Sequence, residues 1–163
     1  AGSAAVLQGV QQLAFTLDED ELEALRLLGA NDLRQLPGTG LLAWGARTLR
    51  PADPAWKYIA VRRLALLLQR SLGQGLRWAV FEPNDAALWM RLRTAAEGFL
   101  FNLWRDGALA GNRFEQAGFA QCGLGQTMTE ADIARGQARL TIGFAAQRPA
   151  EFMVFGLEFE TAG

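Results

Sequence analysis

Residues 41–81, LLAWGARTLRPADPAWKYIAVRRLALLLQRSLGQGLRWAVF, carry the strongest secondary-structure signals in the chain. The apolar residues 41–46 predict a buried strand, and the continuous apolar run in residues 76–81 predicts another. Between them, Asp53 as N-cap and Pro54 at the first helical position predict a helix, with Gly73 and Gly75 past its end. This order is typical of a right-handed crossover between parallel strands.

Most of this central helix is expected to be packed. Its helical spacing places a set of apolar side chains on one broad face. That set is Trp56, Ala60, Val61, Leu64, Leu67, Leu68 and Leu72.

The preceding residues read as an arm followed by a capped helix and a strand. Residues 5–17 alternate loosely, which predicts an N-terminal strand or extended arm over residues 1–17, while residues 18–163 form the main domain. Asp18 as N-cap and the acidic residues after it predict a helix that ends at Gly29. Residues 31–36 predict a short strand, and residues 37–40, PGTG, predict a turn. A phosphate loop is disfavoured because no Lys-Ser or Lys-Thr pair follows this glycine-rich turn.

A second long helix is predicted over residues 86–106, with Asn84 or Asp85 as its N-cap. One face buries an apolar set consisting of Leu88, Leu92, Ala95, Ala96, Phe99 and Leu103. The outward half groups Met90, Phe101 and Trp104, which a solvated face does not normally do. Either another layer of this domain or another protein covers them.

The C-terminal part predicts strands and one capped helical turn. Residues 119–122 predict a short strand, and Thr129 begins the capped turn. Residues 137–146 and 151–160 alternate as strands. In the last strand, one face carries Met153, Phe155, Leu157 and Phe159, and the other begins with Phe152, Val154 and Gly156. Such a terminal strand either sits inside its own sheet or pairs with the edge of another chain.

The predicted fold class is therefore α+β. Helices pack against a mixed β-sheet, two long helices lie in a β-α-β-α arrangement, and the chain ends in a strand or hairpin.

The composition offers no visible chemistry. The sequence has no His, so the usual general base is missing, and its single Cys cannot form a thiolate metal cluster. The net charge is −1. Glu82 and Asp85 could be taken for an acid–base pair, but strand termination and capping explain them better. We expect no catalytic residue, no cofactor and no metal.

Five collinear motifs resemble one known family. They are WGART at 44–48, DPxWKYIxVRR at 53–63, WxVFEPNDxxLW at 78–89, WRDGALxG at 104–111 and RPAEF at 148–152. Their order resembles the C-terminal region of contractile tail sheath proteins of myophages and R-type pyocins, and more distantly of type VI secretion sheaths. The resemblance covers residues 37–159.

The resemblance implies a structural subunit that polymerises around an inner tube and contracts to drive the tube through a membrane, without nucleotide hydrolysis. The implied partners are other sheath subunits, the tube protein, and baseplate and tail terminator proteins. Nucleic acid and direct membrane insertion are not implied. The implied location is a virion tail or phage-tail-like particle assembled in the bacterial cytoplasm. Further N-terminal domains are expected in a complete subunit, so the chain is interpreted as a fragment of a longer subunit, with a proteolytic core or a minimal sheath as the alternatives.

The same resemblance suggests interface residues. Arms of related sheaths add strands to neighbouring subunits, so the arm 6–15 and the last strand become candidates. The outward face of helix 86–106 becomes a candidate tube or neighbour contact, with Arg62, Arg63 and Arg70 as a rival surface. The candidate interface set is Arg91, Phe101, Trp104, Arg105, Phe152, Val154, Phe155, Leu157 and Phe159.

Two alternatives remain. A type VI secretion sheath or another contractile injection system would keep the family and change the machine, although the motifs favour the phage-like branch. An α/β enzyme or ligand-binding module would need a deep pocket with converging polar groups, for which Glu82, Asp85 or Arg47 are the candidates.

Overall fold

The computed structural model describes residues 6–50 and 52–162. It divides into two compact units, Ala1–Arg63 and Leu64–Gly163, and the division falls inside a long helix. Each unit is described by itself.

The first unit begins with the predicted capped helix and hairpin. Helix α1 spans Glu19–Leu27, and Asp18 and Glu21 form a reciprocal capping box at its start. Strand β1 (Asp32–Leu36) pairs antiparallel with β2 (Gly40–Trp44) across the predicted turn. The sequence therefore located these elements correctly.

The N-terminal arm is not a strand in its described part. Residues 6–17 contain a single antiparallel bridge, between Val6 and Leu42. The N–H of Leu7 also donates to the carbonyl of Leu41 at 2.8 Å. Residues 1–5 of the predicted arm lie outside the described residues.

Helix α2 (Ile59–Gly75) begins later than predicted. The Asp53 carboxylate accepts hydrogen bonds from the N–H groups of Ala55 and Trp56, at 3.1 and 3.3 Å, so it caps an isolated turn. The helix starts at Ile59, whose N–H donates to the carbonyl of Ala46. Trp56 therefore lies outside the helix, and both predicted stop glycines, Gly73 and Gly75, lie inside it.

The buried stripe of α2 is narrower than predicted. Its buried positions follow the spacing of three and four residues that an amphipathic helix shows. They are Val61, Ala65, Leu68 and Leu72. Leu66 and Leu67 are exposed, so the expectation that most of the helix is packed was wrong.

The strand predicted at residues 76–81 is a 3₁₀ helix, Arg77–Phe81. Leu76 and Ala79 are buried, whereas Phe81 is 84% exposed. Burial at a spacing of three matches the three residues per turn of a 3₁₀ helix. The prediction of a strand was wrong because the periodicity of a short apolar run does not distinguish a strand from a helix. The parallel crossover built on it is therefore wrong.

Helix α3 spans Ala86–Arg105, as predicted, and Asp85 caps it by accepting from the N–H of Leu88 at 2.9 Å. Its buried residues are Leu88, Leu92, Ala96 and Leu100. Leu100 was not predicted to be buried, and the predicted Ala95 is exposed.

A three-stranded antiparallel sheet forms the rest of the second unit. Strands β3 (Gly118–Gln121), β4 (Gln137–Ala145) and β5 (Phe152–Glu160) lie in the order β3-β4-β5. Helix α4 (Glu130–Ala134), capped by Thr129 as predicted, precedes β4. Helix α3 packs on β3 and β4, and Phe144, Leu140 and Ile142 are fully buried.

The α+β class, the two long helices and the C-terminal hairpin are confirmed. The mixed sheet is not, because both sheets within the described residues are antiparallel.

Candidate assembly surfaces

The polar residues considered for chemistry have structural roles. Glu82 pairs with Arg91 at 3.0 Å, and Asp85 caps α3. Arg47 donates from Nη1 to the carbonyl of Arg26 at 2.9 Å. Across residues 6–50 and 52–162, no group of three potential metal ligands comes together.

A cavity of about 600 Å³ lies in the first unit, beside the arm, α1 and β1. Leu13, Leu17, Leu22, Leu25 and Leu33 contribute to its lining, and Glu82, Asp85 and Arg47 do not. The three residues suggested for an enzyme therefore do not converge on this cavity.

Strand β5 is an edge strand that pairs with β4 from Phe152 to Glu160. No described strand pairs with its other side, although the 3₁₀ helix Arg77–Phe81 contacts β5 and Pro83 bridges Ala162 just beyond its end. A row of unpaired backbone groups of this kind is a template for another chain's strand. The second unit therefore offers an edge suited to strand addition.

The side chains of β5 divide between the core and the surface. Phe155 and Phe159 are buried, and Phe155 packs edge-on against Phe144 with ring centroids 6.2 Å apart. Val154, on the other face, is 53% exposed, while Phe152 and Leu157 are half-buried. Phe155 and Phe159 thus serve this domain's own core, and Val154 is the apolar residue of the strand most open to a partner.

The outward face of α3 is partly covered by its own chain. Phe101, Trp104 and Phe114 form an aromatic cluster with ring centroids 5.4 to 6.2 Å apart. Trp104 also donates from Nε1 to the carbonyl of Gly111 at 2.8 Å. Phe101 still keeps 43% of its surface exposed, and Met90 is also exposed. The first alternative, cover by the domain itself, therefore holds in part for Trp104, which is half-buried, and cover of the remaining apolar surface by another protein stays a prediction.

The two candidate arginines of α3 differ in how firmly they are held. The guanidinium of Arg91 lies 4.4 Å from the ring centroid of Trp78 and pairs with Glu82. Arg105 is largely exposed, and its one salt bridge within the described residues is with its neighbour in sequence, Asp106, at 3.7 Å. An exposed pair of this kind contributes little. Arg105 is therefore the more available of the two for a partner.

A buried carboxylate, Asp132, links α4 to the sheet. The N–H and hydroxyl of Thr129 donate to it and, with Arg139 and Arg135, hold the pKa of Asp132 below its ordinary value. Arg139 also pairs with Glu158 of β5 at 3.0 Å. The spacing of Thr129 and Asp132 signalled the cap, but nothing local in the sequence signalled the ion network.

The comparisons with known proteins decide the family. The model of the phage tail sheath C-terminal domain matches residues 51–158. The chain belongs to the phage tail sheath family. The proteins of this family are structural sheath proteins. The matched range contains four of the five collinear motifs in full, which confirms the resemblance that the sequence indicated.

Sheath relatives come from both phages and contractile injection systems. The tail sheath protein of Vibrio phage KVP40 is 28% identical over 97 residues, covering 60% of this chain and 14% of that protein. A chain in the six-fold symmetrised cryo-EM structure of the anti-feeding prophage (AFP) baseplate is 40% identical, with a TM-score of 0.82. A chain of the contracted sheath complex of PVC, an extracellular contractile injection system, is 38% identical with a TM-score of 0.80.

This sheath chain spans less than half of these relatives. The two structural matches each cover 92% of it but 42% of the other chain. In the part of the chain that the structure describes, each helix falls short of the length or apolar character that a bilayer span demands.

Proposed function

We propose that this chain is the C-terminal part of a sheath subunit that polymerises around an inner tube and contracts to drive it through a membrane. The observation that carries the proposal is its similarity to the contracted helical sheath of AFP, at 40% identity over 92% of this chain and a TM-score of 0.79. The subunit acts within a phage tail or a phage-tail-like particle assembled in the bacterial cytoplasm. Its further partners are the tube, baseplate and tail terminator proteins.

A contractile injection system is the kind of particle that the relatives favour. The AFP and PVC matches are 38–40% identical to this chain, against 28% for the phage protein. This ordering differs from the phage-like branch that the motifs favoured. Tail-fibre and head genes beside the sheath gene would indicate a phage. A cluster of tube, sheath and baseplate genes without head genes would support a contractile injection system.

Polymerisation is tested by expressing the full-length subunit with its tube protein and imaging the products by electron microscopy. Helical sheaths around tubes are expected. A subunit that stays monomeric in the presence of assembled tubes would contradict the proposed function.

Strand exchange between subunits is the proposed tie within the lattice. The open edge of β5 supports it, because backbone hydrogen bonds there can supply strength while alternate side chains such as Val154 supply register. The arm is the proposed donor, since residues 8–17 have no strand of their own.

The arm is a better target for this test than β5. Deleting residues 152–163 would remove Phe155 and Phe159 from the core and unfold the unit. Replacing residues 8–15 by a Gly/Ser linker in the full-length subunit leaves the core intact. It should abolish sheaths while the circular dichroism spectrum is retained, and sheaths of normal length would remove the arm assignment.

The tube contact is proposed for the outward face of α3. Exposed Phe101 offers apolar surface, and Arg105 offers a charge that its own chain scarcely engages. Arg105→Glu should reduce the tube protein that co-sediments with the sheath, while Arg70→Glu on α2 is the matched reversal on the rival surface. A loss of tube with Arg70→Glu alone would move the contact to α2.

A further inference from the structure

A segment of the first unit carries an excess of basic residues that acidic residues of its own chain scarcely pair with. Residues 47–63 contain five basic residues and one acidic residue, a net charge of +4. We call this segment the cationic loop. Among the residues that the structure describes, Arg50 is the one basic residue of this loop with an acidic partner, Asp53, and that pair is 4.0 Å apart. Within the described residues, Lys57, Arg62 and Arg63 form no salt bridge.

Hydrogen bonds join the two described ends of the cationic loop, residues 47–48 and 56–58. Arg47 and Tyr58 form an antiparallel bridge, and the N–H of Thr48 donates to the carbonyl of Lys57 at 2.9 Å. The Thr48 hydroxyl donates to the carbonyl of Trp56 at 2.7 Å. Such cross-links fix these ends of the loop before any partner binds, which lowers the ordering cost of association.

Two basic side chains of this loop lie against aromatic rings. The guanidinium carbon of Arg62 lies 4.8 Å from the ring centroid of Trp56, and Nζ of Lys57 lies 5.8 Å from that of Tyr58. Both distances fall within the range of cation–π contacts. Leu49, at 86% exposure, adds an apolar side chain to the same loop. The surface thus combines fixed positive charge with exposed apolar area.

The opposite character appears around α1. Residues 18–34 contain six acidic and two basic residues, a net charge of −4. We call residues 18–23 the acidic turn. Arg26 and Arg34 engage Glu19, and Arg26 also engages Glu23, whereas Asp20 has no salt bridge within the described residues. Leu27 and Leu28, at the other end of α1, are exposed.

The two surfaces do not neutralise each other within one chain. Arg47 contacts the carbonyl of Arg26, which is at the C-terminal end of α1, while the acidic turn is at its N-terminal end. Nine residues of helix separate the ends by roughly 13 Å. No ion pair in residues 6–50 and 52–162 joins the cationic loop to the acidic turn.

We infer that the cationic loop of one subunit docks on the acidic turn of the next subunit. The cationic loop has a net charge of +4 and the acidic turn a net charge of −5, and the loop adds the exposed side chain of Leu49 beside its charges. Two different patches on one chain make a head-to-tail contact, which generates rings or helical filaments instead of closed dimers. The inference rests on the proposed sheath function and assigns Arg62 and Arg63 to a neighbouring subunit, not to the tube.

Charge reversal in the full-length subunit tests this contact. The loop variant is Arg62→Glu with Arg63→Glu, and the turn variant is Asp20→Arg with Glu23→Arg. Each alone should raise the protein concentration needed for sheath formation about tenfold or more, because like charges then face each other. Mixing the two variants should restore assembly, since each loop then meets a turn of opposite charge.

The controls separate this inference from the proposed function. Reversal of Arg113 and Arg148, two exposed arginines of the second unit, should leave assembly unchanged. If the wild-type subunit assembles and the loop and turn variants also assemble normally, the docking inference fails alone. If the wild-type subunit does not assemble, the proposed function fails.

A disulfide trap gives a second readout should a reversal variant lose its fold. Asp20→Cys and Arg63→Cys, placed in separate copies on a Cys122→Ala background, should cross-link between subunits on mild oxidation of assembled sheaths. The control pair Asp20→Cys and Arg148→Cys should not cross-link. Equal cross-linking of both pairs, or none with Arg63→Cys, would overturn the inference.

Discussion

The ring of Phe119 occupies the space over Gly143 where any other residue would place its Cβ atom. The two residues face each other across strands β3 and β4. Phe152 of β5 packs edge-on against the same ring, with centroids 5.1 Å apart. One glycine therefore allows an aromatic contact that spans all three strands of the sheet.

Gly143→Ala should destabilise the protein by about 1–3 kcal/mol, because the added methyl group forces the Phe119 ring out of its position. Chemical denaturation followed by circular dichroism measures the change. Gly156→Ala in β5 is the matched control, since nothing lies within 4 Å of a Cβ at that position. A loss of equal size in both variants would show that strand glycines matter here for another reason.

The stability of the second unit should fall in acid through Asp132. Hydrogen bonds from Thr129, and the charges of Arg139 and Arg135, hold the pKa of Asp132 below its ordinary value of 3.8. The unfolded chain therefore takes up the proton first, so stability present above pH 3.8 is lost as pH falls through the folded pKa. Unfolding curves recorded across this range measure the loss.

Asp132→Asn tests the source of this acid sensitivity. The variant should be less stable at neutral pH and should lose less stability below pH 3.8 than the wild type. Asp20→Asn, an exposed carboxylate on α1, should keep the acid sensitivity of the wild type. An unchanged pH profile in Asp132→Asn would assign the sensitivity to other groups.

The elements that the sequence predicted correctly depend on local chemistry. Asp18, Asp85 and Thr129 each cap the helix that follows by accepting a backbone hydrogen bond from a residue three positions on. Burial likewise alternates along the first six residues of β4 and from Val154 to Glu160 in β5, as the sequence pattern predicted. Signals of this kind need no knowledge of the tertiary structure.

The predictions of the start of α2 and of a strand at residues 76–81 were wrong because the same local pattern is compatible with two structures. Asp53 followed by Pro54 is a good helix start, but the Asp53 carboxylate closes a turn inside the cationic loop instead. The run ending in Phe81 was apolar enough for a buried strand, yet Phe81 is exposed. Its true period of three was hidden in only six residues.

The surface network around Arg91 was beyond sequence reasoning for a different reason. Its partners, Trp78 and Glu82, approach it only because residues 77–81 coil as a 3₁₀ helix next to α3. A strand at the same position would have directed these side chains differently. The apolar grouping on α3 and the terminal strand pointed to a partner from residue patterns alone, whereas a tube or a sheath neighbour as that partner came from the family resemblance.

Cys122 should react slowly with thiol reagents in the folded protein. Burial raises the pKa of its thiol to about 11, and the nearby charge of Arg93 and the hydroxyl of Thr127 offset this only in part. At pH 8 the thiolate fraction should be about 100-fold lower than for a thiol with a pKa of 9.0. Labelling rates in buffer and in guanidinium chloride measure the ratio, and equal rates in the two solvents would contradict it.

The start of α3 offers a test with a closely matched control. Asp85 accepts a hydrogen bond from the N–H of Leu88 at 2.9 Å, and its negative charge faces the positive end of a 20-residue helix. Asp85→Ala removes both effects and should cost about 1 kcal/mol of unfolding free energy. Asp85→Asn keeps a capping oxygen and should cost only a few tenths of a kcal/mol, which is the charge contribution alone. Urea denaturation of the three proteins measures both terms. If the Asn and Ala variants unfold at the same urea concentration, the carboxylate acts through its charge and the hydrogen bond to Leu88 adds nothing measurable.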